Sequence, residues 1–334
     1  MHVINDRAIV LKTKRPHLVT EQIKNHKILQ ETDGVYKLAI RWDLHEAQVL
    51  ASLKVKDIRS PIDRDYGWTG KYTPFDHQKE TSNFLTLHKK AFCFNEQGTG
   101  KTASVIWAAD YLMNMGQVNR VLVICPLSIM KSAWQQDLFK FAMHRSCSVA
   151  HGTSTQRKKI LDAGAEFVII NYDGVAVVMD EIMKGGFDMV VIDEANAYKN
   201  AQTNRWKTLK AIVEDVPWLW MLTGTPAAQS PVDAFGLAKL INPDGVPKYF
   251  GQFRDKVMYK VTQFTWRPKS DSDKTVHEAL QPAIRFEKDQ CLDLPPVTYV
   301  ERNAPLTKQP VSYTHLRAHE TREDRGWRGG GVKK

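Results

Sequence analysis

The chain has 334 residues, of which 43% are hydrophobic, so it can build one large domain and a smaller one and is not intrinsically disordered. Its formal net charge of +10 and its pI near 9.3 favour a polyanionic partner such as nucleic acid. We expect no signal peptide and no membrane span, because polar residues follow Met1 directly and no apolar run approaches roughly 18 residues. The four cysteines lack a Cys-x-x-Cys pair, which predicts reduced thiols rather than disulfides or a metal site.

Residues 1–65 are predicted to form a small α+β accessory domain or an extension of the domain that follows. Two apolar runs, residues 8–11 and 35–40, indicate strands, and Asp43 is the expected cap of a helix that begins at Leu44. Residues 58–63 are the predicted linker.

Residues 72–78 (YTPFDHQ) precede a helical pattern and end in Gln78. A glutamine amide can donate and accept hydrogen bonds at once, which matches the donor and acceptor on adjacent atoms of adenine. Gln78 is therefore a candidate adenine-reading residue, and the alternative is a solvated glutamine at a helix start.

Residues 95–102 (NEQGTGKT) carry the strongest functional signal. They follow the apolar run 91–94 and open a helical pattern, which places them on a strand-loop-helix unit. Gly98 and Gly100 let the backbone turn tightly, so that N–H groups around Thr99 can surround a phosphate.

Two side chains complete this loop. Lys101 supplies a positive charge for the outer phosphates of a nucleoside triphosphate, and the Thr102 hydroxyl is placed to hold Mg²⁺. Asn95 departs from the general pattern, which has Gly or Ala there, and an ordinary Gly-rich turn is the alternative.

From residue 66 to residue 245 short apolar runs alternate with helical patterns, which predicts an α/β fold with a doubly wound parallel sheet. This is the architecture of one RecA-like lobe of the P-loop NTPases. The predicted strands are residues 91–94, 121–125, 167–170, 189–192 and 218–222. Helices are predicted around Trp134, over residues 175–182, around Leu209, and between Pro231 and Pro243.

The strand at residues 189–192 delivers Asp193 and Glu194 at its carboxyl end. Strand carboxyl ends face the ligand crevice of an open parallel sheet, so these carboxylates can meet phosphates held by Lys101. We expect Asp193 to bind Mg²⁺ and Glu194 to polarise the attacking water, with a surface acidic pair as the alternative.

Five motifs in this order resemble the first motor lobe of superfamily-two helicases (DEAD/DEAH-like), and more narrowly the Swi/Snf-type DNA-dependent ATPases. They are Gln78, residues 95–102, residues 121–126, residues 193–196 and residues 222–226. The narrower resemblance rests on residues 125–126 followed by Trp134 and Phe139, on residues 199–200, and on residues 294–296. It covers roughly residues 71 to 305.

The resemblance implies further roles. Residues expected to couple the nucleotide state to movement are Asn196, Thr223, Gly224 and Thr225. Residues expected to track one strand of the nucleic-acid backbone are Pro126, Leu127, Ser128 and Lys199. Ser128 can alternatively cap the helix carrying Trp134, and residues 223–226 can alternatively be a plain turn. Asn196 stands where relatives usually carry His, so we expect an amide to link the acidic and coupling motifs.

Beyond the lobe, residues 246–309 are predicted to be an inter-lobe helical region that leads to a second lobe. Residues 310–334 resemble a translated transposase adapter and are expected to be non-native, the alternative being a flexible nucleic-acid-binding tail. In the family the second lobe supplies arginine fingers, which are worth about 10³ to 10⁵ in rate. We therefore expect this chain to bind ATP better than it hydrolyses it.

The resulting prediction is an ATP- and Mg²⁺-dependent translocase on double-stranded DNA that acts as a monomer in the cytoplasm of a bacterium or phage-infected cell. Three alternatives remain: a strand-separating DNA or RNA helicase, a nucleotide-gated nucleic-acid-binding module without turnover, and a P-loop kinase. A kinase has no reason to carry residues 223–226.

Overall fold

The computed structural model describes residues 2–227 and 229–291. Its strands are β1 (His2–Ile4), β2 (Ala8–Thr13), β3 (His26–Thr32), β4 (Val35–Arg41), β5 (Lys90–Cys93), β6 (Val121–Cys125), β7 (Cys147–Ala150), β8 (Phe167–Asn171), β9 (Met189–Ile192), β10 (Trp218–Leu222), β11 (Met258–Lys260), β12 (Trp266–Pro268) and β13 (Ala283–Ile284).

Its α-helices are α1 (His17–Thr20), α2 (Leu44–Ser52), α3 (Ile62–Asp65), α4 (Asp76–Leu87), α5 (Lys101–Asn114), α6 (Gln136–Phe141), α7 (Ser154–Asp162), α8 (Tyr172–Val177), α9 (Met179–Lys184), α10 (Asn204–Val213), α11 (Ala234–Ile241), α12 (Phe250–Val257), α13 (Ser272–Ala279) and α14 (Lys288–Cys291). A π-helix covers Met130–Gln135, and 3-10 helices cover Ala195–Tyr198, Pro231–Asp233 and Pro243–Gly245.

The central sheet has seven parallel strands in the order β13-β5-β10-β9-β6-β8-β7. The strand order reverses direction along the chain, and helices cover both faces, so the predicted doubly wound α/β fold is confirmed. The five predicted strands are all present within one residue of their expected bounds. β7 and β13 were not expected from the sequence.

Both faces of this sheet are buried, because its strands alternate between two hydrophobic cores. In β6, Leu122 and Ile124 join one core and Val121, Val123 and Cys125 join the other. Side chains of successive strand residues point to opposite faces, so a strand buried on both faces reads as a continuous apolar run. This is why the central strands were predictable from short sequence windows.

Residues before α3 form a separate antiparallel sheet in the order β1-β2-β4-β3. Its core includes Leu38 and Ile40 from β4 and Leu50 from α2. β3 escaped prediction because most of its side chains are exposed and give no alternating pattern. Asp43 precedes α2 as expected but does not cap it, since its carboxylate pairs instead with Arg41 at 2.7 Å.

The segment predicted as a linker is packed against α4. Ser60 and Ile62 are fully buried, and the Ser60 N–H donates to Asn83 Oδ1 at 2.8 Å. The Thr86 hydroxyl donates to Ser60 Oγ at 2.8 Å. A polar sequence that pairs its groups with a neighbouring helix can be buried at little cost, which composition does not reveal.

The single helix predicted over residues 175–182 is instead two short helices, α8 and α9, which meet at the non-helical Val178. None of the helices in the described ranges is long and apolar enough to cross a bilayer. Residues 294–296 and the tail predicted from residue 310 lie outside the described residues.

Candidate nucleotide site and coupling residues

The loop between β5 and α5 has the backbone of a phosphate-binding loop. Gly98 and Gly100 have φ values of +86° and +78°, where a residue with a Cβ is strained. A Cβ on Gly100 would also collide with the side-chain amide of Gln78. The positive φ therefore favours glycine at position 100, and a larger residue there would also have to displace the Gln78 amide. α5 begins directly afterwards, so the unpaired N–H groups of its first turn face the loop.

Lys101 lies across the inside of this loop. Its Nζ donates to the carbonyl oxygens of Asn95 at 2.7 Å and Glu96 at 3.1 Å. These carbonyls hold the ammonium group beside the loop N–H groups, where the oxygens of a bound phosphate would lie. Thr102 follows in the first turn of α5 and is partly buried.

Asn95, the departure from the general loop pattern, ties the loop to a distant segment. Its Nδ2 donates to Thr81 Oγ1 at 2.8 Å, and its Oδ1 accepts the Phe286 N–H at 3.0 Å. The Glu96 N–H donates to the Phe286 carbonyl at 3.0 Å, and the Glu96 carboxylate accepts the Lys288 N–H. This structural role of Asn95 was missed, because its partner is about 190 residues away in the chain.

Gln78 is 9% exposed, so the alternative of a solvated glutamine is wrong. Its Oε1 accepts the Phe75 N–H at 3.0 Å, and its Nε2 donates to the Thr99 carbonyl at 3.2 Å. His77 Nε2 contacts the same carbonyl at 2.8 Å and stacks on the Phe75 ring. The Phe286 ring packs beside His77 in a tilted arrangement, with 6.0 Å between the ring centroids. The aromatic groups beside the loop were not expected, and adenine reading by Gln78 stays a prediction.

Asp193 is 8% exposed at the carboxyl end of β9, which rules out a surface acidic pair. Its Oδ2 accepts the Trp134 indole N–H and its Oδ1 accepts the Glu194 N–H, both at 2.9 Å. Burial raises the pKa of Asp193, while these hydrogen bonds and the charge of Lys101 oppose that shift. Trp134, expected as a helix marker and as part of the resemblance to the Swi/Snf-type ATPases, thus orients the carboxylate.

Glu194 has φ +49°, a left-handed conformation that is uncommon outside glycine. Its pKa is raised by burial first and by the charge of Asp193 second, while Lys101 lowers it. The Tyr172 hydroxyl donates to the carbonyl oxygens of Asp193 at 2.5 Å and Glu194 at 3.1 Å. Two adjacent carboxylates are therefore held in different environments beside one lysine.

The acidic and coupling motifs are in direct contact. Asn196 Nδ2 donates to the Thr225 carbonyl at 2.8 Å and lies 3.3 Å from Thr225 Oγ1. Within the described residues Asn196 Oδ1 is buried without a hydrogen-bond partner. The buried Thr223 donates its N–H to the Cys93 carbonyl at 3.1 Å, and Gly224 packs beside the phosphate loop. Residues 223–225 therefore contact both the phosphate loop and the acidic motif. These contacts are more than a turn that only reverses the chain requires.

Pro126, Leu127 and Ser128 follow the carboxyl end of β6. Leu127 is 56% exposed and Ser128 is also exposed, so both are accessible to a ligand on the surface. Helical residues begin at Ile129, directly after Ser128, so the alternative that Ser128 caps the helix carrying Trp134 stays a prediction.

Lys199, which is predicted to add positive charge to a nucleic-acid surface, lies beside an acidic residue, and that role stays a prediction. Its Nζ donates to Gln229 Oε1 at 2.7 Å and to Asp233 Oδ2 at 3.1 Å, where the two charges form an ion pair. The carboxylate offsets the positive charge that a phosphate would otherwise meet. Sequence spacing alone did not show that Asp233 folds back onto this position.

The fold and the loop together define a P-loop lobe of RecA-like type. A model of the family described as the SNF2-related domain matches residues 77–325, so the chain belongs to that family.

The chain is similar to the uncharacterized ATP-dependent helicase YqhH of Bacillus subtilis, at 22% identity over 70% of this chain and 39% of the relative. It is also similar to the mouse chromodomain-helicase-DNA-binding protein 1-like, at 25% identity over 73% of this chain and 27% of the relative. It therefore spans less than half the length of these relatives.

Among solved structures, the chain resembles the Sulfolobus solfataricus SWI2/SNF2 ATPase core in complex with dsDNA. The TM-score is 0.56 at 23% identity, over 66% of this chain and 46% of that chain. This likeness supports the RecA-like fold.

Proposed function

We propose that this chain is the ATP-binding lobe of a monomeric, ATP-driven translocase on double-stranded DNA. The observation that carries the proposal is the contact of Asn196 with Thr225, because it joins the carboxylates beside Lys101 to the segment that follows the next strand. A change at the phosphates can thereby be transmitted along the carboxyl edge of the sheet.

In the proposed nucleotide complex, the loop N–H groups and Lys101 bind the phosphates, and Gln78 and His77 lie on the side where the base would be read. The donor set fits Mg²⁺, since the Thr102 hydroxyl and the Asp193 carboxylate are oxygen ligands of the kind this ion prefers. When bound, Mg²⁺ would neutralise charge on the phosphates. Glu194 would orient the attacking water and accept its proton.

Double-stranded DNA is the proposed polymer for three reasons. The chain carries a formal charge of +10, of which +7 lies before residue 310; Leu127 and Ser128 are exposed at the carboxyl edge of the sheet; and a solved structure with the same fold is in complex with dsDNA. Contacts from backbone N–H groups and a hydroxyl go to phosphates and read no sequence. Binding should therefore weaken steeply as salt rises.

This chain should bind ATP better than it hydrolyses it. In the described ranges, the hydrogen bonds made by Lys101 and by the Asp193 carboxylate involve no arginine. An arginine side chain that contacts the transferring phosphoryl group enhances the rate of related reactions by a factor of about 10³ to 10⁵. We propose that a second lobe of the complete protein supplies it.

The test is the ATPase rate of the complete gene product without nucleic acid, with blunt duplex DNA and with single strands. The proposal expects duplex DNA to stimulate most and Lys101→Ala to abolish the stimulated rate. Equal rates with and without DNA would overturn the DNA-motor proposal. Stronger stimulation by single strands would favour a strand-separating helicase, and binding without turnover would favour a nucleotide-gated module.

A further inference from the structure

A short β-hairpin, β11–β12, follows α12. Val261 and Thr262 close its turn with N–H bonds to the Thr265 carbonyl at 2.9 and 3.2 Å, and the Thr262 hydroxyl accepts the N–H groups of Phe264 and Thr265. The turn is therefore ordered by its own hydrogen bonds, and Phe264 is held at its tip.

The two faces of the hairpin differ. Trp266 is half-buried on one face, and the Arg254 guanidinium of α12 stacks on its ring at 3.9 Å. Tyr259 and Arg267 are directly opposite each other in the ladder and share the other face, where both are exposed. The stacked face anchors the hairpin to α12, and the other face is open to a partner.

The turn exposes an unusual amount of aromatic surface. Phe264 is 89% exposed, and Tyr259 and Val261 beside it are about half exposed. Leaving a phenylalanine this exposed forgoes the stabilisation that burying its ring would provide. An exposed aromatic ring on an ordered turn is a group available to stack on a ligand.

The segment that carries the hairpin is strongly basic. Residues 248–269 contain six Lys or Arg and a single acidic residue, Asp255, which is half the chain's net charge within 22 residues. Lys256, Lys260 and Arg267 are exposed. Asp271 directly precedes α13 and Asp273 lies in its first turn. Both acidic residues are therefore at the base of the hairpin and not at its tip. Cations around an exposed aromatic ring fit a polyanion that presents flat rings.

The root of the hairpin lies next to the coupling motif. Ser230, four residues after Pro226, contacts the Met258 sulfur at 3.7 Å, and α12 packs on the 3-10 helix Pro231–Asp233. The neighbouring Asp233 is the partner of Lys199. The hairpin thus arises from the side of the lobe that carries the carboxyl ends of β9 and β10.

We propose that this hairpin binds an unpaired strand of nucleic acid, with Phe264 stacked on a base and Arg267, on the open face, on a flanking phosphate. The proposal rests on the proposed DNA-motor function and adds a single-stranded contact to it. Bases inside a duplex are covered by their neighbours, so an exposed ring finds a free base only where a strand is unpaired.

The test measures fluorescence anisotropy of labelled blunt duplex and of the same duplex with a single-stranded extension, titrated with the 334-residue chain. Variants are Phe264→Ala and Arg267→Glu. Their matched controls are Met183→Ala and Lys184→Glu, which change exposed residues of α9 near the amino ends of the strands. Urea unfolding of each variant checks that the fold is retained.

We expect the chain to bind the extended duplex about tenfold more tightly than the blunt duplex. Phe264→Ala should remove that difference and leave blunt-duplex binding unchanged, Arg267→Glu should weaken extended-duplex binding, and the controls should do neither. If blunt duplex is bound but Phe264→Ala behaves like Met183→Ala, the hairpin proposal is overturned and the DNA-motor proposal stands. If this chain binds neither DNA, the hairpin proposal is overturned, and the ATPase rates of the complete gene product decide the DNA-motor proposal separately.

Discussion

The two edges of the seven-stranded sheet use polar residues in opposite ways. At the amino edge, the Arg120 guanidinium donates to three backbone carbonyls, those of Leu161, Ala165 and Gly185, and stacks over the Phe187 ring at 4.5 Å. The Asp188 carboxylate accepts the N–H groups of residues 119 and 120 at 2.7 and 3.2 Å. These groups complete each other and stabilise the fold.

At the carboxyl edge, some buried polar groups can form more hydrogen bonds than they do. Within the described ranges, Lys101 is bonded to carbonyls of its own loop and Asn196 Oδ1 lacks a partner. Burial raises the pKa of Asp193. Groups of this kind cost stability unless a ligand completes them. Burial of a charged residue is therefore not by itself a sign of function, since the amino edge buries charged residues that only stabilise the fold.

The largest expected effect is a loss of folding stability on substitution of a residue at the amino edge of the sheet. Arg120→Ala leaves three carbonyls without their donor and should lower the free energy of unfolding by about 3 kcal/mol, without changing nucleotide affinity. Urea unfolding and titration with a fluorescent ATP analogue measure the two quantities. The exposed Lys184→Ala is the control and should stay near wild type. A loss of nucleotide affinity in folded Arg120→Ala would break the comparison.

Lys101→Ala, at the carboxyl edge, should lower nucleotide affinity and leave the free energy of unfolding nearly unchanged. Its ammonium group makes charge-assisted bonds to phosphate, so its loss should weaken ATP-analogue binding by about 2 kcal/mol, or roughly thirtyfold, while the free energy of unfolding changes little. The control is Lys89→Ala, an exposed lysine just before β5. Equal affinities of these two variants would contradict a phosphate role for Lys101.

Asn95→Ala tests whether the hydrogen bonds from Asn95 to Thr81 and Phe286 stabilise the carboxyl edge of the sheet. Without the amide, the Phe286 N–H loses its acceptor and the Thr81 hydroxyl oxygen loses one donor, so the free energy of unfolding should fall by about 1.5 kcal/mol. Nucleotide affinity should fall as well, since the loop backbone is less well held. The exposed Asn119→Ala is the matched control. Unchanged stability would show that the segment around Phe286 docks without Asn95.

The smallest effect concerns pH at the amino edge. Burial alone would raise the pKa of Glu166, but hydrogen bonds from the Ser146 N–H at 2.7 Å and from Arg145 at 2.8 Å outweigh it and hold that pKa below 4.5. A depressed pKa stabilises the fold above the ordinary carboxyl range, and that stabilisation is lost as pH falls through the lower value. The stability gap between wild type and Glu166→Gln should therefore close below pH 4.5. A gap that stays constant from pH 7 to low pH would contradict this sign.

Local sequence was sufficient for the central strands and for the phosphate loop. Buried parallel strands are continuous apolar runs, and Gly98, Gly100 and Lys101 lie within four residues of one another, so short windows contain the whole signal. β13 could not be found this way, because two residues that complete a sheet edge carry no periodic pattern. For the same reason the region predicted as inter-lobe was not expected to contribute a strand to the lobe.

The sequence by itself determined the class of fold, the phosphate loop and the order of the motifs, since these depend on residues close together in the chain. The tertiary structure alone decided how they are completed: Trp134 on Asp193, Asn95 on Phe286, Asn196 on Thr225, and the ion pair that occupies Lys199. Each of these is a hydrogen bond between side chains or backbone groups far apart in sequence. Such a bond depends on the relative placement of whole elements, which no local pattern of residues specifies.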